Sequence, residues 1–378
     1  MYVNEFDLAA DLPLFLVEWW RHSATATTEP PSGTDATMAP EWHVALHRAF
    51  LPRQRSIVLV AQSDAGQMQA ALPVYRRMTR SLARAGETIS ILSELYGGRV
   101  TFITTTAARD VVVALLERLG QNFPTWSCLE MTLVDGNAHT DSFLSAARGC
   151  GCHIESEALP ASPYIALPAS FDEYLTTLKP GFRTEMRRGE RRLREIGTLT
   201  QKIFSHPNEV DEFWAAVCRV ERESWKETAG TSITTNPSQE RFYREYLPIG
   251  AAAGQLCAPV LYLDGRPIAH KICVLQHGVA SILKMSYVDE FRRYYPSTVL
   301  LAGYLRNITG ARARYLDFMG VRDDFKLRWT NLTYTRTRHL IYRPSLRGQI
   351  DRTRHLLMRR ISTVRSRVRG LNATPDHA

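Results

Sequence analysis

Three apolar runs follow one another with no helix between them: CAPVLYLD (257–264), RPIAHKICVLQ (266–276) and VASILKMSYV (279–288). They are separated by Asp264-Gly265 and His277-Gly278, residue pairs that suit the tight turns of antiparallel hairpins. Such a meander excludes a doubly wound nucleotide fold, which alternates strand and helix throughout. Before it stand a strand (TLTQKIFS) and two helices (NEVDEFWAAVCRVERESWK and PSQERFYREYL). After it come a loop (DEFRRYYP), a helix (STVLLAGYLRNITG), a strand (ARYLDFMG), a short loop or helix (VRDDFKLRW) and a last strand (LTYTRTRHLIYR).

The first half carries a weaker version of the same order. SIVLVAQ (56–62) and QMQAALPVYRR (67–77) flank a Ser63-Asp64-Ala65-Gly66 turn, and helix, strand, helix and strand follow in ARDVVVALLERLG, CLEMTLVD, TDSFLSAARGCG and HIESEALPASPYIALP. Helices over Leu12 to Arg21 and Glu41 to Phe50, with a polar loop from Ser23 to Pro40, precede the hairpin. Two copies of one α/β unit is the economical reading, although no residue-level repeat is visible. The expected segments are 1–165, 166–343 and a basic tail, 344–378. Near the second boundary, Ser170 and Glu173 have capping-box spacing. Pro180-Gly181 then restarts a helix, FRTEMRRGERRLREI, whose Phe182, Met186, Gly189, Leu193 and Ile196 form one apolar stripe before Gly197 stops it.

Composition sets the outer limits. A chain of 378 residues with 44% hydrophobic side chains can bury two cores. From residue 336 onward there are eleven arginines and two aspartates, so the net charge of +9 belongs to the tail and the body is neutral. A neutral body argues against a nucleic-acid-binding fold. Six scattered cysteines form no zinc pattern and read as reduced structural thiols. No run approaches the ~18 apolar residues that cross a bilayer, and the acidic start lacks the pattern of a secretion signal, so a cytoplasmic protein is expected.

With FRTEMRRGERRLREIG opening it and YYPSTVLL and LDFMGVRDDFKLRW closing it, this order resembles the GNAT acyltransferase superfamily. More closely it is similar to the CelD/BcsL-type acetyltransferases of polysaccharide biosynthesis, built as two tandem GNAT-like units. The resemblance spans roughly residues 50–343. It implies a mixed α/β (α+β) fold of two units, each a mostly antiparallel sheet flanked by helices, the first degenerate and the second active. The Fem-type aminoacyl-tRNA-dependent peptidyltransferases are cousins that share the duplicated fold and an aromatic-lysine pair like Phe325-Lys326.

The resemblance also implies that VASILKMSYV splays from ARYLDFMG and that acetyl-CoA or another acyl-CoA sits in the gap. The family's glycine-containing pyrophosphate loop is replaced here by Arg292-Arg293-Tyr294-Tyr295-Pro296-Ser297-Thr298. Ser297 or Thr298 can cap the following helix, and Arg292 and Arg293 add positive charge for the phosphates. The bland alternative for the two arginines is a solvated loop. By likeness to the Fem pair, Lys326 would stabilise charge on the tetrahedral intermediate while Phe325 shapes the pocket. Strand alternation leaves Asp317 as either a general base or a structural partner. Tyr287 could protonate a leaving thiolate or simply pack. His270 faces one side or the other depending on register, and a lone strand histidine is more often structural.

On the basic helix, Arg187 and Arg191 run along one face with Arg183 and Arg194. That face is either solvated or the seat of an anionic acceptor, such as a nucleotide-linked or lipid-pyrophosphate-linked sugar, or tRNA. No nucleophile elbow, metal-binding histidine pair or phosphate-binding Walker loop is present, so direct transfer without a metal is expected. The tail places Ile350, Leu357, Ile361, Val364 and Val368 on one helical face among arginines. An amphipathic cationic helix of this kind suits an anionic membrane surface, and the alternatives are packing on the body or a disordered tail. The expected function is acyl transfer from acyl-CoA to a sugar-type hydroxyl or amine, on the inner face of the membrane. A Fem-like peptidyltransferase and a non-catalytic assembly scaffold are the alternatives.

Overall fold

The computed structural model describes residues 1–23, 36–77, 85–95, 103–104, 108–310 and 312–371. Most of the polar loop expected over 23–40 and the last seven residues of the tail lie outside the described residues. The strands are β1 (Tyr2–Asp7), β2 (Ser56–Gln62), β3 (Met68–Arg77), β4 (Glu87–Ile91), β5 (Ile103–Thr104), β6 (Trp126–Val134), β7 (His153–Ala158) and β8 (Ser162–Ala166). They continue as β9 (Leu199–Phe204), β10 (Ala258–Leu263), β11 (Arg266–Gln276), β12 (Val279–Tyr287), β13 (Tyr315–Asp317), β14 (Thr333–Tyr334) and β15 (Arg336–Tyr342).

Two sheets result. The first runs β1-β2-β3-β4-β6-β15-β7, with β5 paired to β3 off the main path, and the second runs β14-β8-β13-β12-β11-β10-β9. Each is antiparallel apart from one parallel pair, β4 with β6 and β12 with β13. The expected hairpins form, and Asp264-Gly265 and His277-Gly278 all have positive φ as two-residue turns of this type require. This is the mixed, mostly antiparallel, tandem architecture that the element order implied.

The sheets do not divide at one point in the chain. β8 runs up to Ala166, across the expected boundary, and pairs with β13 of the second sheet, while β15 returns to lie between β6 and β7 of the first. The sheet boundaries therefore cross the expected segments at both ends. The tail is tied in as well. The helix Leu346–Leu371 carries buried Asp351, whose carboxylate accepts from Ala85 N at 2.7 Å, Gly86 N at 3.0 Å and Ser127 Oγ at 2.6 Å.

Helices cover both faces of the second sheet. On one face, the helix Val210–Arg222 buries Val210, Phe213, Val217 and Val220 of the stripe its periodicity predicts, while Trp214, also expected inward, is only partly buried. This face shares a core with the first unit: Trp42 of the helix Pro40–Phe50 stacks edge-on against Phe242 and Tyr246 at 4.8 and 5.0 Å. On the other face lie the helices Pro180–Ile196 and Pro296–Ile308. Phe182, Met186, Gly189 and Leu193 of the expected stripe are buried, whereas Ile196 at its end is exposed. Ser170 Oγ caps Glu173 N at 3.2 Å, as the box spacing predicts.

Candidate active site

The parallel pair of the second sheet is short. β12 and β13 are joined at Val279–Tyr315, Ala280–Leu316 and Ser281–Asp317, and there the ladder ends. β12 runs on to Tyr287 while bonded only to β11. Ile272 faces Lys284 but the next residue, Cys273, faces Ile282, so Leu283 is an extra residue in β12. A bulge of this kind bends a strand and increases its twist, and it sits two residues beyond the last shared rung. The result is a wedge, closed at Ser281 and open toward Tyr287.

Two strained residues flank the open end. Tyr295 and Met319 have φ of 55° and 49°, a left-handed conformation that costs a non-glycine residue about 1 kcal/mol. Tyr295 is the N-cap residue of the helix Pro296–Ile308, and no side chain caps that helix. This corrects the expectation for Ser297 and Thr298, which lie inside the first turn. Tyr295 instead adopts the backbone geometry that a glycine would supply. Thr298 is buried, and Ser297 Oγ accepts from Lys271 Nζ at 2.9 Å.

A cavity of about 240 Å³ opens beside Tyr295, lined by Thr184, Glu185, Arg188, Gly189, Arg192 and Arg293. Gly189 makes the close approach possible: a Cβ there would stand 2.7 Å from the Tyr294 carbonyl oxygen. Glu185 is engaged by Arg328 at 2.7 Å, so the cavity wall is predominantly cationic. Arg293 belongs to it, as expected. Arg292 is exposed and does not line it, and Arg187 and Arg191 also lie outside, Arg191 pairing with Glu195 at 3.3 Å. Their neighbours Arg188 and Arg192 are the arginines that face the cavity. A larger cavity, about 390 Å³, opens at the β9 edge between Arg194 and Arg306, away from the wedge.

Lys326 is buried, but its Nζ donates to the Val321 carbonyl at 2.6 Å and lies 3.0 Å from Asp323 Oδ2. Its charge is already matched within its own loop. Asp317 is fully buried, accepting from Tyr334 Oη at 2.9 Å and from Met319 N at 2.8 Å. Of its two readings, this geometry favours the structural partner. Tyr287 is half-buried at the open end, and burial raises its phenol while Arg292 opposes the shift.

His270 faces the helix Val210–Arg222, with Nε2 3.0 Å from Glu221 Oε1, and both side chains are fully buried. Burial lowers the imidazole and Glu221 opposes this. Burial would raise the Glu221 carboxyl, but His270, Lys226 and the Ile233 N–H together hold it down to about 2. His270 Nδ1 and the Oγ of Ser286, its cross-strand partner, are both buried without a hydrogen-bond partner among the described residues.

Three lysines that sequence reasoning passed over converge on β12. Lys226 Nζ bonds the Met285 carbonyl, Lys284 Nζ reaches Thr231 O at 3.2 Å and Gln239 Oε1 at 3.0 Å, and Lys271 lies on the opposite face of β11 from His270. Burial brings Lys226 down to about 8 and Lys271 to about 7. The available signal was the pair His270-Lys271 in the middle of an otherwise apolar strand. Glu221 had one too, a carboxylate four residues after Val217 on a buried stripe.

The comparisons agree with this geometry. Residues 180–327 match the family described as acetyltransferase (GNAT) domain. That segment is a GNAT domain. It begins at the cavity-lining helix and ends just after Phe325-Lys326, so the wedge, the basic turn and the aromatic-lysine pair all fall inside it. No curated protein matches the sequence. Among solved structures, FemX is similar at a TM-score of 0.59 and 13% identity, covering 85% of this chain and 94% of that one. A conserved protein of unknown function from Bacteroides thetaiotaomicron is similar at 0.57 and 12%, covering 85% and 96%. A tandem GNAT protein from the clavulanic acid biosynthesis pathway is similar at 0.50 and 13%, covering 91% and 100%. At these identities the structural likeness establishes the fold. The GNAT domain makes the chain an acyltransferase.

Proposed function

We propose that this enzyme moves an acetyl or other acyl group from acyl-CoA to a hydroxyl or amine of a sugar or polysaccharide precursor, by direct transfer, with the second unit as the active one. The observation that carries the reading is the parting of β12 from β13 after three rungs, together with an arginine-lined cavity at the uncapped helix start that follows β12 in the chain. The cavity fits a diphosphate: Arg188, Arg192 and Arg293 offer charge-assisted bonds, and Gly189 lets the wall close on the turn. Acyl-CoA supplies the activated thioester. His270 takes the acceptor's proton through Nδ1, held in the right tautomer by Glu221. Lys326 acts as a positioning residue, fixing the loop that presents Phe325. The sugar-type acceptor comes from the resemblance to polysaccharide acetyltransferases.

Phe325-Lys326 and the similarity to FemX favour, as a second reading, a peptidyltransferase that takes its aminoacyl group from tRNA. The tail supports an approach to anionic membrane from the cytoplasmic side: Leu357, Met358 and Ile361 are exposed beside Arg359 and Arg360. Thermal shift with acyl-CoA thioesters tests the main reading. Acetyl-CoA at ~100 times its Kd should stabilise the protein by about 2.7 kcal/mol, and joint Arg188→Ala and Arg192→Ala substitution should remove most of that. Stabilisation by tRNA alone would transfer the assignment to the second reading. No response to either ligand would leave a scaffold.

A further inference from the structure

Lys271 is the least ordinary residue of the second unit. It is fully buried in the centre of the sheet, yet no carboxylate among the described residues pairs with it. Its Nζ touches one group from each wall of the wedge. Ser297 Oγ, 2.9 Å away, belongs to the helix that starts at the basic turn. Met285 Sδ, 3.4 Å away, belongs to β12 beyond the bulge. The Phe325 ring, with its centroid 5.4 Å away, belongs to the segment that follows β13.

An ammonium in such a place lacks both water and a counter-ion, a costly arrangement for a group with only structural duties. Of the titratable groups nearby, only Cys273 favours the charged form, and burial keeps that thiol protonated. Cys273 lies on its own strand, Lys226 adds like charge, and His270 occupies the opposite face. Burial accordingly favours the neutral amine. The natural counter-charge for this amine is one that develops only while a ligand reacts.

Resting on the acyl-CoA reading above, we infer that Lys271 is the acid of the transfer, meeting the sulfur of coenzyme A as it departs. As the acceptor's oxygen or nitrogen bonds the acyl carbon, the carbon–sulfur bond breaks and its electron pair leaves on sulfur. Lys271 gives that sulfur a proton, so coenzyme A leaves as the thiol and the amine stays behind neutral. His270, on the other face of the sheet, has taken the acceptor's proton. Solvent resets both groups by removing one proton from the imidazolium and returning one to the amine. Protonation of the leaving thiolate, the role foreseen for Tyr287, falls in this inference to a lysine with no carboxylate partner among the described residues.

The test needs no acceptor. Free coenzyme A is bound to the whole protein and its thiol is titrated by ultraviolet thiolate absorbance, with acetyl-CoA-loaded protein as the blank. In the wild type, the thiolate and the Lys271 ammonium hold each other charged as a pair, so thiolate absorbance should appear at least about one pH unit below that of free coenzyme A. Lys271→Met should return it to the free value and Lys271→Arg should keep it low. An unshifted thiol in the wild type, or the same midpoint in wild type and Lys271→Met, would overturn the inference. Failure of coenzyme A to bind the wild type at all would remove the acyl-CoA reading, and this inference with it. The wild-type titration decides the matter even if a variant folds poorly.

Discussion

The two sheets share a strand order and a single parallel pair, and they treat that pair in opposite ways. In the first, four of the five residues of β4 are bonded to β6, and the pairing is locked at its end: Ser90 faces Glu130 and donates to its carboxylate at 3.3 Å. Glu130 is buried and also binds Arg77 and Arg338, the latter through Nε at 2.7 Å. In the second, the pair stops after three rungs, a bulge bends β12 away, and the buried amine of Lys271 beside the opening has no carboxylate partner among the described residues. Among the described residues, the first unit meets its buried Glu130 with two arginines and a serine at the end of the parallel pair. The second leaves a gap and an amine with no carboxylate partner among the described residues, the kind of perturbed site on which the proposed reaction rests.

The largest expected effect breaks the closed side. Glu130→Ala removes the buried carboxylate that two partly exposed guanidinium groups share, a loss of about 2 kcal/mol once solvent screening of the arginines is allowed for. Chemical denaturation should show that loss while coenzyme A affinity at the second unit stays near wild type. Equal loss of both would mean that the two units do not divide the work in this way.

The open side should respond with the opposite sign. Lys271→Met removes a buried charge and is expected to raise stability at pH 7 by about 1–2 kcal/mol. Unfolded lysine ionises near 10.5, while Lys271 and Lys226 do so near 7 and 8 in the fold. Between those limits the unfolded chain binds more protons, so wild-type stability should rise with pH from about 7 toward 10. The methionine variant should show a shallower rise. Glu221 adds an acid limb: its carboxyl is held near 2, so its contribution is lost as pH falls from the ordinary range toward that value. A flat profile from pH 7 to 10 would remove the contrast between the two buried charge sets.

The smallest effect on stability belongs to the tail. Leu357→Glu with Met358→Glu changes exposed positions and should move stability by no more than about 0.5 kcal/mol. The same change should abolish co-sedimentation with anionic vesicles. Retained binding would exclude the apolar face as the contact. Truncation at Pro344 is the poorer experiment, because it also removes the Asp351 anchor.

Much of this fold was legible because it is local. The meander, the hairpin over 56–77, the Ser170 cap and the buried stripe of the helix Val210–Arg222 all follow from patterns within a few residues. The exchange of β8 and β15 was not, since nothing in a strand's own residues names a partner 150 or more positions away. The site was legible as a region and only partly as residues. Helical spacing could not decide between Arg187 and Arg188, or Arg191 and Arg192, because the choice depends on how the helix rolls against the turn at Gly189. Strand alternation put His270 and Lys271 on opposite faces but left open which face met the helix Val210–Arg222. Ser297 and Thr298 looked like caps on composition alone. The left-handed turn at Tyr295 took that place instead.

The placement of β15 has a consequence for how the molecule is made. The seam between β6 and β7 is filled by residues 336–342, so the first sheet cannot close until residue 342 has left the ribosome. Until then both seam strands present unpaired backbone, a state in which chains aggregate or swap segments with one another. Expressed alone, either half would lack a strand that its sheet needs.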